Sequence, residues 1–294
     1  MKVHLAAFPK CFMDELCIKR SMTIFEWIDM ARTLDIEGIE LYNGFLESFD
    51  IGYLQRVRDA IEGAGLKAPM FCYSPNFTEP DPLRRAKEVE AEKRIMQVAT
   101  YFGARTCRVL SGQRYPEVSR QDGVRWVVEA IRSLLPKAEE LGLILAIENH
   151  YKDNYWKYPE FAQRSDVFLE IVDQIRSPWF GVNYDPSNAL IAGEDPIELL
   201  QAVKHRLVSM HASDRYLAGG TLGDLKRVED SIGYASILKH GIIGRGMIEY
   251  DRVFEILQSV NFNGWISIED GTSGLDDIRE SAIFLRRKIK EYGG

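Results

Sequence analysis

A chain of 294 residues, 46% hydrophobic and 28% charged, holds enough apolar side chain for one large core or two smaller ones and has no long segment polar enough to stay disordered. Its formal net charge of -7, without any run of five or more Lys or Arg, excludes the electrostatic footprint of a nucleic-acid or anionic-membrane binder, and no stretch of about 18 apolar residues offers a membrane span. Four cysteines, Cys11, Cys17, Cys72 and Cys107, form no C-x-x-C pair and no disulfide framework, so the expected compartment is a reducing cytoplasm.

The first residues, MKVHLAAFPK, read as a short strand and a turn rather than a signal peptide. VHLAAF is followed by the helical pattern TIFEWIDMARTL, GIELY by IGYLQRVRDAIEGAG, LKAPMFCY by RRAKEVEAEKRIMQVATYFG, and TCRVLSG by DGVRWVVEAIRSLLPKAEELG. The second half repeats the order: LILAIENH before DVFLEIVDQI, GVNYD before PIELLQAV, LVSMHASD before YDRVFEILQSV, and WISIED before LDDIRESAIFLRRKIKEY. Eight strand-then-helix units predict an α/β fold, a single (β/α)₈ TIM barrel over residues 1–294, and no Gly-, Ser- or Pro-rich linker divides it. Helices ending in EGAG, YFG and ELG place a glycine where a left-handed cap stops the chain before the next strand. One connection departs from the pattern: residues 212–249 far exceed the roughly 2–6 residues common between strand and helix, and are expected to lie over the C-terminal face. They carry Asp214, Arg215, Gly219, Gly220 and the stretch KHGIIGRG; the competing reading is a surface decoration with no part in chemistry.

In such a barrel the C-terminal strand ends converge on one mouth, where an acid has no packing reason to stand. Glu148, Asp185, His211 and Glu269 close the fifth, sixth, seventh and eighth apolar strands. Three carboxylates and an imidazole aimed at one point repel one another unless a divalent cation joins them. Oxygen-rich ligation with one His suits Mn²⁺ first, with Mg²⁺, Co²⁺ or Zn²⁺ as alternatives. Taken singly, each acid reads equally well as a helix cap or the partner of a surface cation.

At these residues, and in the segments LGLILAIENH, VNYDPSNALIAGEDPIELL, LVSMHASD and IGRGMIEYDRVFEILQSVNFNGWISIED, the sequence resembles the xylose-isomerase-like superfamily of sugar isomerases and epimerases, which are metal-dependent barrels. The resemblance covers most of the chain. It implies that Glu148 and Glu269 hold the metal and exchange the proton beside a substrate carbonyl through an enediolate, giving epimerisation or aldose–ketose isomerisation. Ketose 3-epimerases of the superfamily usually have a histidine three residues after the aspartate ligand, where this chain has Asn188, and an arginine about six beyond the histidine ligand, where it has Arg215 four beyond His211. His150, two residues after Glu148, makes an E-x-H arrangement resembling that of C-glycoside-cleaving barrel subunits. On an extended segment it faces the same way as Glu148, toward a bound substrate; the bland reading is a bond to a loop carbonyl.

Further substrate-binding candidates follow from strand-end position: Glu40 after GI, Tyr73 with Ser74 after MFC, Gln113 after the fourth strand, and His240 in the long connection. Trp126, Tyr155 and Trp156 offer aromatic surface, more often used for packing, while His4 and His205 stand at the wrong ends of their elements. The expected activity is a metal-dependent sugar isomerase or epimerase acting on a keto-sugar or related polyol. Alternatives on the same barrel are a keto-glycoside or C-glycoside lyase or deglycosidase unit, an inosose dehydratase-like enzyme, an abasic-site nuclease or a non-catalytic subunit. A small sugar is the expected partner, with no nucleic acid and no membrane, and a homo-oligomer left open.

Overall fold

The computed structural model describes residues 1–225, 235–269 and 271–293. In chain order, β1 (Lys2–Ala7) precedes α1 (Ile24–Ala31); β2 (Gly38–Ile39) and β3 (Leu41–Tyr42) precede α2 (Ile51–Gly63); β4 (Met70–Cys72) precedes α3 (Pro82–Tyr101); and β5 (Thr106–Val109) precedes α4 (Arg120–Leu141). The second half runs β6 (Ile144–Glu148), α5 (Ser165–Gln174), β7 (Phe180–Tyr184), α6 (Pro186–Ile191), α7 (Pro196–Val203) and β8 (Leu207–Ala212). It then passes through β9 (Asp214–Leu217), α8 (Leu222–Leu225), β10 (Leu238–Gly241) and α9 (Tyr250–Ser259) to β11 (Asn263–Ile268) and α10 (Leu275–Tyr292).

Nine of these strands make one parallel sheet in the order β2-β1-β11-β8-β7-β6-β5-β4-β3. First and last barrel strands pair over their length, from Lys2 against Asn263 to Ala7 against Ile268. The second stave is broken at Glu40, so that β2 pairs with β1 and β3 with β4. Ile39 N–H donates to Lys67 O at 2.8 Å and Glu40 N–H to Ala7 O at 3.0 Å, which keeps the broken stave in the wall and nearly closes the barrel. This is the single (β/α)₈ TIM barrel expected from the strand and helix alternation.

Local chemistry sets the element ends. Thr23 and Glu26 form a reciprocal capping box on α1, and Asp81, Ser119, Asp185 and Asp195 accept backbone N–H bonds at the starts of α3, α4, α6 and α7. Three of these aspartates precede proline at the first helical position, where the missing N–H costs nothing. Gly65, Gly103 and Gly142, expected as left-handed stops, have φ of 73°, 78° and 62°.

The long connection is not an open loop. β9 leaves β8 after one residue, and antiparallel pairing to β10 sets Asp214 against Gly241 and Arg215 against His240; residues 226–234 lie outside the described residues. The Asp214 carboxylate ties the return of this segment by accepting N–H bonds from Arg215, Gly244, Gly246 and Ile248 at 2.9, 2.9, 3.0 and 3.1 Å. A Cβ on Gly246 would collide with that carboxylate.

Within the core, Glu92 of α3 is fully buried, and its Oε1 accepts from the Cys107 thiol at 3.2 Å. Burial pushes its carboxyl up to about 8, only partly opposed by Cys107 and Arg108. Since the folded chain then holds a proton that the unfolded chain releases near the ordinary carboxyl value of 4.5, this residue makes stability fall as pH rises from about 4.5 to about 8. Glu92→Gln is expected to match the parent below pH 5 and to exceed it above pH 8 by on the order of 2–4 kcal/mol in urea melts. A constant difference between the two proteins across pH would show that Glu92 does not titrate in this window.

Candidate metal centre

β6 ends at Glu148, Asp185 follows β7, His211 is the penultimate residue of β8, and Glu269 follows β11. Parallel register brings these neighbouring staves to one level, and the four side chains each offer a donor atom, all within 4.8 Å of one another and buried. A second donor group, Glu40, Cys72 and His211, shares the histidine.

His211 lies at the centre. Its Nδ1 is 3.2 Å from both Glu148 Oε1 and Glu269 Oε2, while Nε2 lies 2.8 Å from Glu40 Oε2. A carboxylate behind the far ring nitrogen orients a metal-binding imidazole and raises its basicity. Asp185 Oδ1 receives the N–H groups of Ser187 and Asn188 at 2.8 and 3.1 Å and the Ser213 hydroxyl at 2.6 Å, so capping α6 and aiming the carboxylate are one act. Asn188 also donates to Glu148 Oε1 at 3.3 Å.

Charge is the dominant local force. Burial, together with Glu269 and Glu148, pushes Asp185 up to about 7. Against burial, His211, His150 and Arg108 pull Glu148 down to about 2, and Lys10 with His211 holds Glu269 well below the carboxylate range. His211 is raised despite burial by Glu40, Glu148 and Glu269. A buried cluster that must retain protons to coexist matches a divalent cation, whose binding releases them. Three carboxylates and one imidazole, with no thiolate among the four, form a donor set for Mn²⁺, Mg²⁺, Co²⁺ or Zn²⁺.

The mouth above the cluster is a cavity of about 20 Å³ lined by Phe8, Lys10, Tyr42, Arg108, His150 and Glu269, among others, with Lys152, Asp153 and Asn154 folded over it. Burial, opposed by Glu148 and reinforced by Arg108 and Lys10, holds the His150 imidazole down at about 4 and therefore neutral. Its Nδ1 has no hydrogen-bond partner and stands 3.9 Å from Glu160 Oε2. The covering loop is clamped at its stem: Gln113 Oε1 accepts from Lys157 N and Tyr158 N at 2.7 and 3.1 Å, and Glu160 accepts from Ser111 N at 2.7 Å. Further along, Tyr155 stands beside Cys17.

Three expected substrate contacts are spent elsewhere. Glu40 stands behind His211; Gln113 is used up by loop backbone; and Tyr73 turns to the barrel exterior, its hydroxyl 3.4 Å from Glu88 in a groove with Asn43, Leu54 and Tyr101. Side-chain alternation explains Tyr73, since Cys72 beside it faces inward to Glu40. Arg215 is 2% exposed, 5.8 Å from the Tyr151 ring centroid. His240 lines a wider cavity of about 630 Å³ with Tyr216, Lys239 and Thr272, and burial with Arg215 and Lys10 nearby lowers it to about 3. The sequence reading missed Lys10, whose Nζ lies 3.0 Å from Glu269 Oε1, and Arg108, whose Nη1 lies 3.1 Å from Glu148 Oε2.

The family model described as "Xylose isomerase-like TIM barrel" matches residues 28–288. An L-ribulose-5-phosphate 3-epimerase UlaE of Shigella flexneri is 23% identical over 285 residues, 94% of this chain and 88% of that protein. An inosose dehydratase of Bacillus thuringiensis is 23% identical over 172 residues, 57% of this chain and 54% of its own length. The chain spans about half the length, or less, of several curated relatives that it matches. Among solved structures, one of an L-ribulose 3-epimerase superposes with a TM-score of 0.76 at 13% identity, covering 99% of this chain and 96% of that one. At that identity the likeness concerns the fold. No helix among the described residues is long and apolar enough to cross a membrane.

Proposed function

The chain belongs to the xylose isomerase-like TIM barrel family, and from that premise we propose that it is a divalent-metal-dependent isomerase or epimerase that moves a proton beside the carbonyl of a keto-sugar or related polyol. The observation that carries this reading is the buried four-donor cluster of Glu148, Asp185, His211 and Glu269 at the barrel mouth. An epimerase relative aligned over 94% of the chain supports the reaction class.

Bound there, a divalent ion would act as a Lewis acid on the substrate carbonyl and on the negative charge that develops when the adjacent C–H is broken. The chain's own residues set the rest. Glu40 holds the His211 ring, Ser213 and the start of α6 hold Asp185, and Arg108 and Lys10 hold Glu148 and Glu269. His150, neutral and lining the mouth, accepts the proton. Lys152 to Asn154 keep bulk water away.

A dehydratase or lyase on the same centre is the second reading, favoured by the inosose dehydratase relative, because removing the same proton sets up loss of a neighbouring hydroxyl. The test is incubation with a panel of ketoses, 3-keto-glycosides and inosones in D₂O with Mn²⁺. Deuterium entering at one carbon of one substrate fixes the class; no exchange in any of them would remove the proton-transfer reading.

A further inference from the structure

The two glutamates of the centre use both of their oxygens. Glu148 turns Oε1 to His211 and Asn188 and Oε2 to Arg108 Nη1 at 3.1 Å; Glu269 turns Oε2 to His211 and Oε1 to Lys10 Nζ at 3.0 Å. Both cations are themselves held. Arg108, within β5, also reaches Ser74 Oγ at 3.2 Å, and Lys10 sits in the tight turn Lys10–Phe12 after β1 with its side chain only 15% exposed. The arrangement is symmetric: on each glutamate one oxygen faces the shared histidine and the other faces a permanent positive charge.

A carboxylate relays a proton through an oxygen lone pair turned toward the substrate. Here the oxygens not facing His211 are covered by cations, which also make them poorer proton acceptors. Resting on the metal-centre reading above, we propose that Lys10 and Arg108 are positioning residues: they commit Glu269 and Glu148 to the ion by one oxygen each and take both carboxylates out of proton transfer. The reaction then runs on one face of the substrate. A single group takes the proton from the carbon beside the carbonyl, and the C–H electron pair becomes the C=C bond of the enediol. The same group returns the proton to the former carbonyl carbon while the neighbouring hydroxyl passes its O–H proton to the former carbonyl oxygen and becomes the new carbonyl, or the proton leaves with a departing hydroxyl as water. Inversion at one carbon needs donors on both faces, and the pinned glutamates do not supply the second, which narrows the proposed isomerase or epimerase to isomerisation, or to the dehydration of the second reading.

The same geometry has a measurable electrostatic consequence. Two fixed positive charges beside three carboxylate ligands offset part of the attraction that holds the ion, so removing either must strengthen binding; damage to ligand geometry would weaken it. The experiment is calorimetric titration of Co²⁺ into the chelator-stripped full chain, with the visible Co²⁺ spectrum recorded in parallel. Lys10→Met and Arg108→Gln are each expected to bind Co²⁺ roughly tenfold tighter than the parent, with a changed spectrum as the released oxygen joins the coordination. Lys10→Arg is expected to restore the parent affinity to within about twofold. Equal or weaker binding in either neutral variant overturns the proposal. If Lys10→Met does not fold, Lys10→Gln and Arg108→Gln carry the same sign test. A parent protein that binds no ion would instead overturn the metal-centre reading, so the two failures are distinguishable.

Discussion

Chelator-stripped protein is expected to gain about 5–10 °C in melting temperature when Mn²⁺ or Co²⁺ is added at about 100 times its Kd, since that excess contributes about 2.7 kcal/mol and a chain of this size shifts by about 2–4 °C per kcal/mol. The shift is large because the ion relieves a real conflict: Glu148, Asp185 and Glu269 are buried within 4.8 Å of one another's donor atoms, and without the ion His211 and Asp185 must carry the compensating protons. His211→Gln is expected to reduce the shift below about 2 °C and to lose the bound ion in elemental analysis, because it removes the donor and releases Glu40 at once. No metal in the purified chain and no stabilisation by Mn²⁺, Co²⁺, Mg²⁺ or Zn²⁺ would sink the metal centre.

His150→Gln is expected to slow solvent deuterium exchange by about 100-fold or more while metal content and the metal-induced melting shift stay at the parent level. Glutamine keeps the polar volume of the ring but cannot take up a proton. His150 lines the mouth with Nδ1 unpartnered, whereas each glutamate has a cation on its second oxygen. Glu269→Gln is the contrasting case: it loses metal affinity and exchange together, because the ligand charge and its pairing with Lys10 disappear in one step. Exchange at the parent rate in both variants would refute proton transfer at this centre and leave the barrel as a metal-binding scaffold.

The barrel and its four donors were legible because each donor terminates an apolar run, and the rule that strand ends converge needs no tertiary detail. Other residues were illegible for identifiable reasons. Lys10 follows a proline in the turn after β1, and nothing local separates it from the other lysines of the chain. Arg108 did leave a signal, an arginine inside TCRV, since a charge in a barrel strand is tolerated only when paired. Tyr73 and Gln113 show the limit of strand-end logic: position places a Cα near the mouth, but alternation and loop backbone decide where the side chain goes. Residues 212–249 read as a long loop over the C-terminal face, without strands, because a hairpin of DRYL against LKHG has little alternation, and its anchor, four backbone N–H groups on Asp214, is invisible without coordinates.

A mouth of about 20 Å³ has room for about one water molecule and none for a sugar. Under the proposed function, Lys152 to Asn154 of the covering loop are expected to move aside to admit a sugar. Gln113 and Glu160 grip its stem from Lys157 onward, and β6 fixes its other end, so the hinge is confined to the short arc between Tyr151 and Trp156. Ligand capture under the proposed function is then a gated event in which encounter is followed by a slower closing step, and movement of that arc is expected to limit turnover independently of how fast the proton moves.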